Sequence, residues 1–186
     1  KFIILLPGRL TYWKGQKIFI EAIKLLYEKS DIPSFEAIVL GNEQGRNVYK
    51  KQLIDLVLKH RLNKVIKFID HCKEMPVAYG ISNLVCSCSS EPETFGRIAV
   101  EAQSMQIPII ASDIGGSKET IIKDKTGYLY KNKDPIDLAN SIAAVMQKKY
   151  DLLQSFGIEG RKNVLKRFDV DKMCQTTFTE YKKLIK

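Results

Sequence analysis

An α/β architecture, a parallel sheet of about six strands with helices on both faces, is predicted by three features of the sequence. Apolar runs of strand length recur at residues 2–7, 35–40, 65–69, 84–87, 107–111 and 128–130. Helical apolar stripes separate the early runs, and each is about the length that a crossover between parallel strands needs. The runs are also continuous rather than alternating, as strands buried on both faces require. Ligands of such a sheet gather at the C-terminal strand ends, near the point where strand order reverses.

Taken in order, the first run ends in Gly8-Arg9-Leu10-Thr11-Tyr12-Trp13-Lys14-Gly15, and Ile18, Ala22, Ile23, Leu25 and Leu26 then form a helical stripe. Arg9 presents a planar fork of donors and Lys14 a point charge, both at a strand's C-terminal end, where a diphosphate binds. A polar surface loop closed by a capping glycine is the plainer alternative, and Trp13 either packs the loop down or faces an acceptor. The second run ends at Gly41-Asn42-Glu43-Gln44-Gly45, which lacks the GxGxxG fingerprint and argues against a nicotinamide or flavin dehydrogenase. Leu53, Leu56, Val57 and His60 mark the next helix. The third run ends in Ile69-Asp70-His71-Cys72, and His71 reads as a loop residue without a functional role in preference to one lying near a bound base.

The stretch from Ser89 to Glu101 organises the chain. It follows the fourth run and leads into Ile98, Val100, Ala102 and Met105 at mixed helical spacing, so it is the turn between a strand and a helix. The first amides of a helix lack internal partners and carry the positive end of its dipole, and Gly96 lets a ligand approach closely, so this turn suits an anion. Glu93 and Glu101 flank the helix start with seven residues between them. Helical side chains lean toward the N-terminus, so both carboxylates can reach one polyhydroxylated ligand. Two accounts stand at this level: sugar recognition, or Glu91 and Glu93 complementing the dipole with Glu101 solvated.

The fifth run is followed by Gly115-Gly116-Ser117-Lys118-Glu119, a second glycine-rich turn in which Glu119 is expected to accept main-chain amides. Asp134-Pro135 starts a helix with proline in its first turn. The remainder reads as helices, the last with an apolar face of Met173, Phe178, Tyr181 and Leu184.

The length of 186 residues fits one domain, and 45% hydrophobic with 27% charged residues is ordinary globular composition. No apolar run approaches a membrane span and the N-terminus is too short for a signal peptide, so a soluble, cytoplasmic protein is expected. Lys1 in place of Met, followed at once by a strand, points to a chain cut from something longer. Cys72, Cys86, Cys88 and Cys174 form no CxxC pair, so buried free thiols are expected. With only His60 and His71, no histidine-rich metal site is expected. The net charge of +9 favours anionic partners, among them nucleoside diphosphates, acidic glycolipid and nucleic acid. Dispersed lysines without an aromatic-rich basic motif argue against nucleic acid.

The run from Glu93 through Thr94, Phe95, Gly96, Arg97 and Ile98 to Glu101 resembles the E-x7-E segment of retaining family 4 glycosyltransferases. Three further segments match in the expected order: Gly8-Arg9 with Lys14-Gly15, Gly115 to Glu119, and Thr126-Gly127-Tyr128-Leu129. The resemblance implies a Rossmann-like domain, the C-terminal, donor-binding half of a GT-B enzyme, with residues 1–186 as one nucleotide-sugar-binding domain and an N-terminal acceptor domain absent. It implies that Arg9 and Lys14 hold the leaving diphosphate and that Glu93 orients the sugar rather than acting as a nucleophile. Glu101 would hold the ribose hydroxyls, with Gly8, Gly15, Gly41, Ile69, Thr94, Phe95, Gly96, Arg97 and Ile98 completing the donor site. No metal or cofactor is required. Asp70 stands where relatives carry a glycine, so the base transfers least well.

Residues 7–16 further resemble bacterial lipopolysaccharide core mannosyltransferases. This implies GDP-mannose or a UDP-hexose as donor, a glycolipid or lipopolysaccharide core acceptor, and peripheral contact with anionic membrane at its cytoplasmic face. The last helix would cross to the N-terminal domain, which would leave its apolar face of Met173, Phe178, Tyr181 and Leu184 partly unpartnered in this chain. A non-catalytic nucleotide-binding module, and a basic domain for nucleic acid or anionic membrane, are the alternatives.

Overall fold

A computed structural model describes residues 1–185, and the expected domain's last residue, Lys186, lies outside the described residues. The six strands are β1 (Phe2–Pro7), β2 (Phe35–Leu40), β3 (Ile66–Ile69), β4 (Leu84–Ser87), β5 (Ile109–Ser112) and β6 (Tyr128–Tyr130). They form one sheet in the order β3-β2-β1-β4-β5-β6. Every neighbouring pair is parallel. Chain order reverses between β1 and β4, the central pair.

Side chains alternate across the sheet, which divides the core. Ile4, Leu6, Cys86 and Ile110 face one side with α1 (Gln16–Tyr27), α2 (Asn47–Lys59) and α6 (Pro135–Met146). Leu5, Val85, Ile109 and Ala111 face the other with α3 (Met75–Gly80) and α4 (Arg97–Ser104). Both faces are therefore covered, and the sheet's apolar residues leave water on both sides. The structure bears out the expected Rossmann-like class. The stripe on α1 extends beyond the expected positions to Phe19 and Ile20, both fully buried. Asp134 caps α6, its carboxylate accepting from the amides of Ile136 at 3.0 Å and Asp137 at 3.1 Å.

Two local expectations are corrected. Cys86 and Cys88 are buried, and burial pushes the Cys88 thiol up to about 12, but Cys174 is exposed. The reason is that α8 (Val170–Leu184), which follows α7 (Tyr150–Arg167), buries no residue. The expected apolar face of Met173, Phe178, Tyr181 and Leu184 is thus open. Glu119, on the short α5 (Ser117–Thr120), is exposed and fixes no amide among the described residues. The second glycine-rich turn is held instead by the Gly116 amide donating to the Glu93 carbonyl at 2.8 Å and by Thr120 Oγ1 donating to the Gly116 carbonyl at 2.9 Å. No helix among the described residues is long and apolar enough to cross a membrane.

Candidate functional site

A cavity of about 750 Å³ opens over the C-terminal ends of β1, β2, β3 and β4, at the reversal of strand order. The loop after β1 brings Gly8, Arg9, Trp13 and Lys14 to its wall, and the turn into α4 brings Glu93, Arg97, Ile98 and Glu101. The β2 loop adds Gly41, Asn42 and Gln44, while residues after β3 add His71, Cys72, Met75 and Tyr79.

The loop after β1 is set by packing that only glycine permits. Gly15 has φ +73°, and a Cβ there would lie 1.8 Å from the Cys88 carbonyl. Its closeness lets the Ser90 amide donate to the Trp13 carbonyl at 2.7 Å, which ties the β1 loop to the β4 loop. Gly41, φ +147°, leaves β2 so close to β1 that a Cβ would lie 2.1 Å from the Gly8 carbonyl. Beneath this loop, buried Gln16 donates through Nε2 to the Arg9 carbonyl at 2.8 Å, and Tyr49 donates to Gln16 Oε1 at 3.2 Å.

Lys14 and Glu93 meet across the joined loops at 2.7 Å, with their side chains only 12% and 18% exposed. Screening by water is weak there, so the pair holds both groups in place. Ser89 Oγ also donates to Glu93 Oε1, and the Lys14 ammonium lies 4.4 Å from the Trp13 ring centroid. Trp13 therefore packs the loop while its half-buried ring stays at the cavity wall.

Gly96, in the left-handed region at φ +74°, caps α4 without a side-chain bond, and the first residues of the helix, Arg97 and Ile98, line the cavity. Glu101 projects from the second turn of α4, as its lean predicts, and Tyr79 Oη donates to its Oε2 at 2.7 Å. Burial first, and the Glu101 carboxylate second, push the Tyr79 phenol well above its ordinary range, so it stays a donor. Arg9, Lys14 and Arg97 against Glu93 and Glu101 make a site able to take a polyanion at one end and hydroxyls at the carboxylates.

Of the sequence-predicted residues, Gly8, Arg9, Lys14, Gly41, Glu93, Arg97, Ile98 and Glu101 are brought together here. Gly15, Ile69, Thr94, Phe95 and Gly96 lie outside the lining. Gly15 packs under the loop, and Gly96 is buried at the helix start. Ile69 gives its carbonyl to the Gly41 amide at 2.9 Å, closing the ladder between β2 and β3. Phe95 turns away to meet Phe168 edge-on, ring centroids 5.4 Å apart. His71 lines the cavity, against the preferred reading of it as an idle loop residue and in line with the second.

Sequence reasoning missed Tyr79 altogether because the apolar stretch from Met75 to Ile81 is short and broken by Pro76 and Gly80. Met75 and Tyr79, one helical turn apart with Pro76 in the first turn, are the signal that finds α3. Among the described residues no group of three or more His, Cys, Asp or Glu is placed to hold a metal ion.

Proteins of known structure share this fold. The chain is similar to a glycosyltransferase from Rickettsia africae ESF-5, at 29% identity and TM-score 0.93, over 100% of this chain and 48% of that one. It is similar to Anabaena HepE, solved in complex with UDP-glucose, at 27% identity and TM-score 0.89, over 98% of this chain and 49% of that one. The C-terminal domain of a glycosyl transferase group 1 family protein (LpcC) from Francisella tularensis matches at 29% identity and TM-score 0.81, over 91% of this chain and 87% of that one. Among curated sequences, a D-inositol 3-phosphate glycosyltransferase of Corynebacterium efficiens is 25% identical over 146 residues, 77% of this chain and 34% of that protein. The chain thus spans about a third of the length of the curated relatives it matches first. The profile of the glycosyl transferases group 1 family matches residues 1–163, and the chain belongs to that family.

Proposed function

We propose that this chain is the donor-binding, C-terminal domain of a retaining glycosyltransferase that moves a hexose from a nucleotide sugar. The observation that carries this is the cavity at the strand reversal, where Arg9, Lys14, Arg97 and the α4 start face Glu93 and Glu101. Arg9, Lys14 and the helix start bind the diphosphate and take up its charge as it leaves, which lowers the barrier electrostatically. Glu93, steadied by Lys14 and Ser89, orients the sugar; Glu101 receives the ribose hydroxyls. Gly8, Gly41 and Ile98 shape the wall, while Gly15, Ile69, Thr94, Phe95 and Gly96 support it from outside.

The UDP-glucose complex of Anabaena HepE favours a UDP-hexose as donor, with GDP-mannose the competing choice from the likeness of residues 7–16 to core mannosyltransferases. The acceptor is a glycolipid or lipopolysaccharide core, met at the cytoplasmic membrane face by a chain of charge +9. An N-terminal domain of the same protein, against which the open apolar face of α8 packs, supplies the acceptor groove.

The test is a thermal-shift series with UDP, GDP, ADP and their sugars. The matching nucleotide raises the melting temperature, by mass action worth about 2.7 kcal/mol at a hundred times its dissociation constant. No shift with any of them sinks the donor-site assignment. A second measurement, sugar transfer from labelled donor to a lipid A core acceptor, separates a half-enzyme from a complete one. Residues 1–186 alone give no more than slow donor hydrolysis, because the near-attack arrangement worth about 7 to 11 kcal/mol is missing. Robust transfer by these residues refutes the half-enzyme assignment. A nucleotide-binding module without catalysis stays silent even when the upstream domain is restored.

A further inference from the structure

We propose that Tyr79 is a positioning residue for Glu101, holding the carboxylate in the orientation that receives the donor's ribose. This rests on the donor-site reading above.

Tyr79 sits on α3 and is 2% exposed, its ring embedded in the core beneath the sheet face that α4 also covers. A ring so placed needs no hydroxyl for packing. Its hydroxyl nevertheless points at the cavity and donates to Glu101 Oε2 at 2.7 Å, rather than to a backbone carbonyl. The other carboxylate oxygen, Oε1, takes no protein donor among the described residues and is left for a ligand. Burial keeps the phenol protonated, so the bond is present across the neutral range.

The consequence is preorganisation. A glutamate in the second turn of an exposed helix samples several rotamers, and a ligand that needs one of them must order the side chain as it binds. With one oxygen already bonded to a buried, immobile group, that cost is met in the folded protein before the nucleotide arrives. The second oxygen then presents a fixed acceptor to a pair of vicinal hydroxyls. Tyr79 touches the nucleotide only through Glu101, so its influence falls on the ribose and not on the base or the diphosphate.

The experiment is calorimetric titration of the chain and of Tyr79→Phe, Glu101→Ala and the double variant, each with the nucleoside diphosphate that binds best and with its 2′,3′-dideoxy counterpart. Tyr79→Phe is expected to keep the melting temperature of the free protein within a few degrees, to raise the dissociation constant of the ribonucleotide about tenfold, and to leave that of the dideoxynucleotide nearly unchanged. Adding Tyr79→Phe to Glu101→Ala is expected to change neither further. Equal weakening of both nucleotides, or an undiminished effect of Tyr79→Phe in the Glu101→Ala background, overturns the inference while the donor site stands. Failure of the wild-type chain to bind UDP, GDP or ADP overturns the donor site, and the positioning role with it.

Discussion

Around the β1 and β4 loops the cavity wall is tied by main-chain contacts and a shielded ion pair, whereas the β2 and β3 loops, whose bases keep the Leu10–Asn42 and Gly41–Ile69 main-chain bonds, are joined beyond them by the half-buried Lys50. On the first side Ser90 donates to the Trp13 carbonyl, Gly116 donates to the Glu93 carbonyl, and Ser112 Oγ donates to the Ser89 carbonyl at 2.8 Å. The shielded Lys14–Glu93 pair closes that side. On the second, Lys50 reaches Glu43 at 3.1 Å and Asp70 at 2.7 Å, beside the cavity residues Asn42, Gln44 and His71. The difference matches the tasks. Groups that stabilise developing charge act best when they need no rearrangement, so their wall is built from backbone that side-chain changes cannot easily move. The other wall sets two carboxylates, Glu43 and Asp70, on one lysine and so depends on side chains for its brace.

Substituting one glycine on each wall gives the largest contrast. Gly15→Ala combines positive-φ strain with overpacking against the Cys88 carbonyl, each worth about 1 to 3 kcal/mol, so a loss of about 3 kcal/mol or more is expected in urea unfolding. Gly45, at φ +83°, has no heavy atom within 4 Å of the place a Cβ would take, and Gly45→Ala is expected to cost only about 1 kcal/mol. Equal losses would mean that the two walls are braced alike.

Ligand affinity sharpens the contrast next. Glu101→Ala is expected to weaken nucleoside diphosphate binding by about 1.5 to 3 kcal/mol, the usual worth of a hydrogen bond to a charged group. Glu91→Ala, which removes only an exposed pair with Lys133 at 3.1 Å, is expected to leave calorimetric affinity unchanged. The same loss in both variants would return the segment to a dipole-complementing role.

The smallest effect belongs to Lys50→Ala, read as a difference in melting temperature from the wild type across pH. The Glu43 carboxyl is held below its ordinary 4.5 by a bond to its own backbone and then by Lys50. Its contribution is therefore complete above that value and lost as pH falls through the depressed one. Lys50 is raised above 10.5 by Asp70 and then Glu43, so its contribution is complete below that value and lost as pH rises through the elevated one. A small difference confined to the window between, and shrinking in salt, is the expected pattern. A difference that persists in acid would show that Lys50 acts by packing.

The chain's local chemistry is legible in the sequence alone. Apolar runs mark the strands, most completely at β4 and β5, which are buried on both faces, and less so at the edge strand β3, where Lys67 interrupts the run; the E-x7-E turn is visible because its parts are neighbours in sequence. Arg9, Lys14, Glu93 and Glu101 can be chosen by residue type and place at strand ends. Tertiary structure alone decides the rest, since it depends on β1 lying beside β4. That adjacency brings Lys14 to Glu93 across 79 positions and seats Gly15 against Cys88. The crossover through α3 sets Tyr79 under Glu101 and His71 at the cavity, while Ile69 and Phe95, promising by position, are drawn into the ladder and against Phe168. Periodicity tells which side of an element is apolar but not what covers it; that the face of α8 would be partly unpartnered followed from the resemblance alone, and the packing of the chain, in which α8 buries nothing, decides how far it is open.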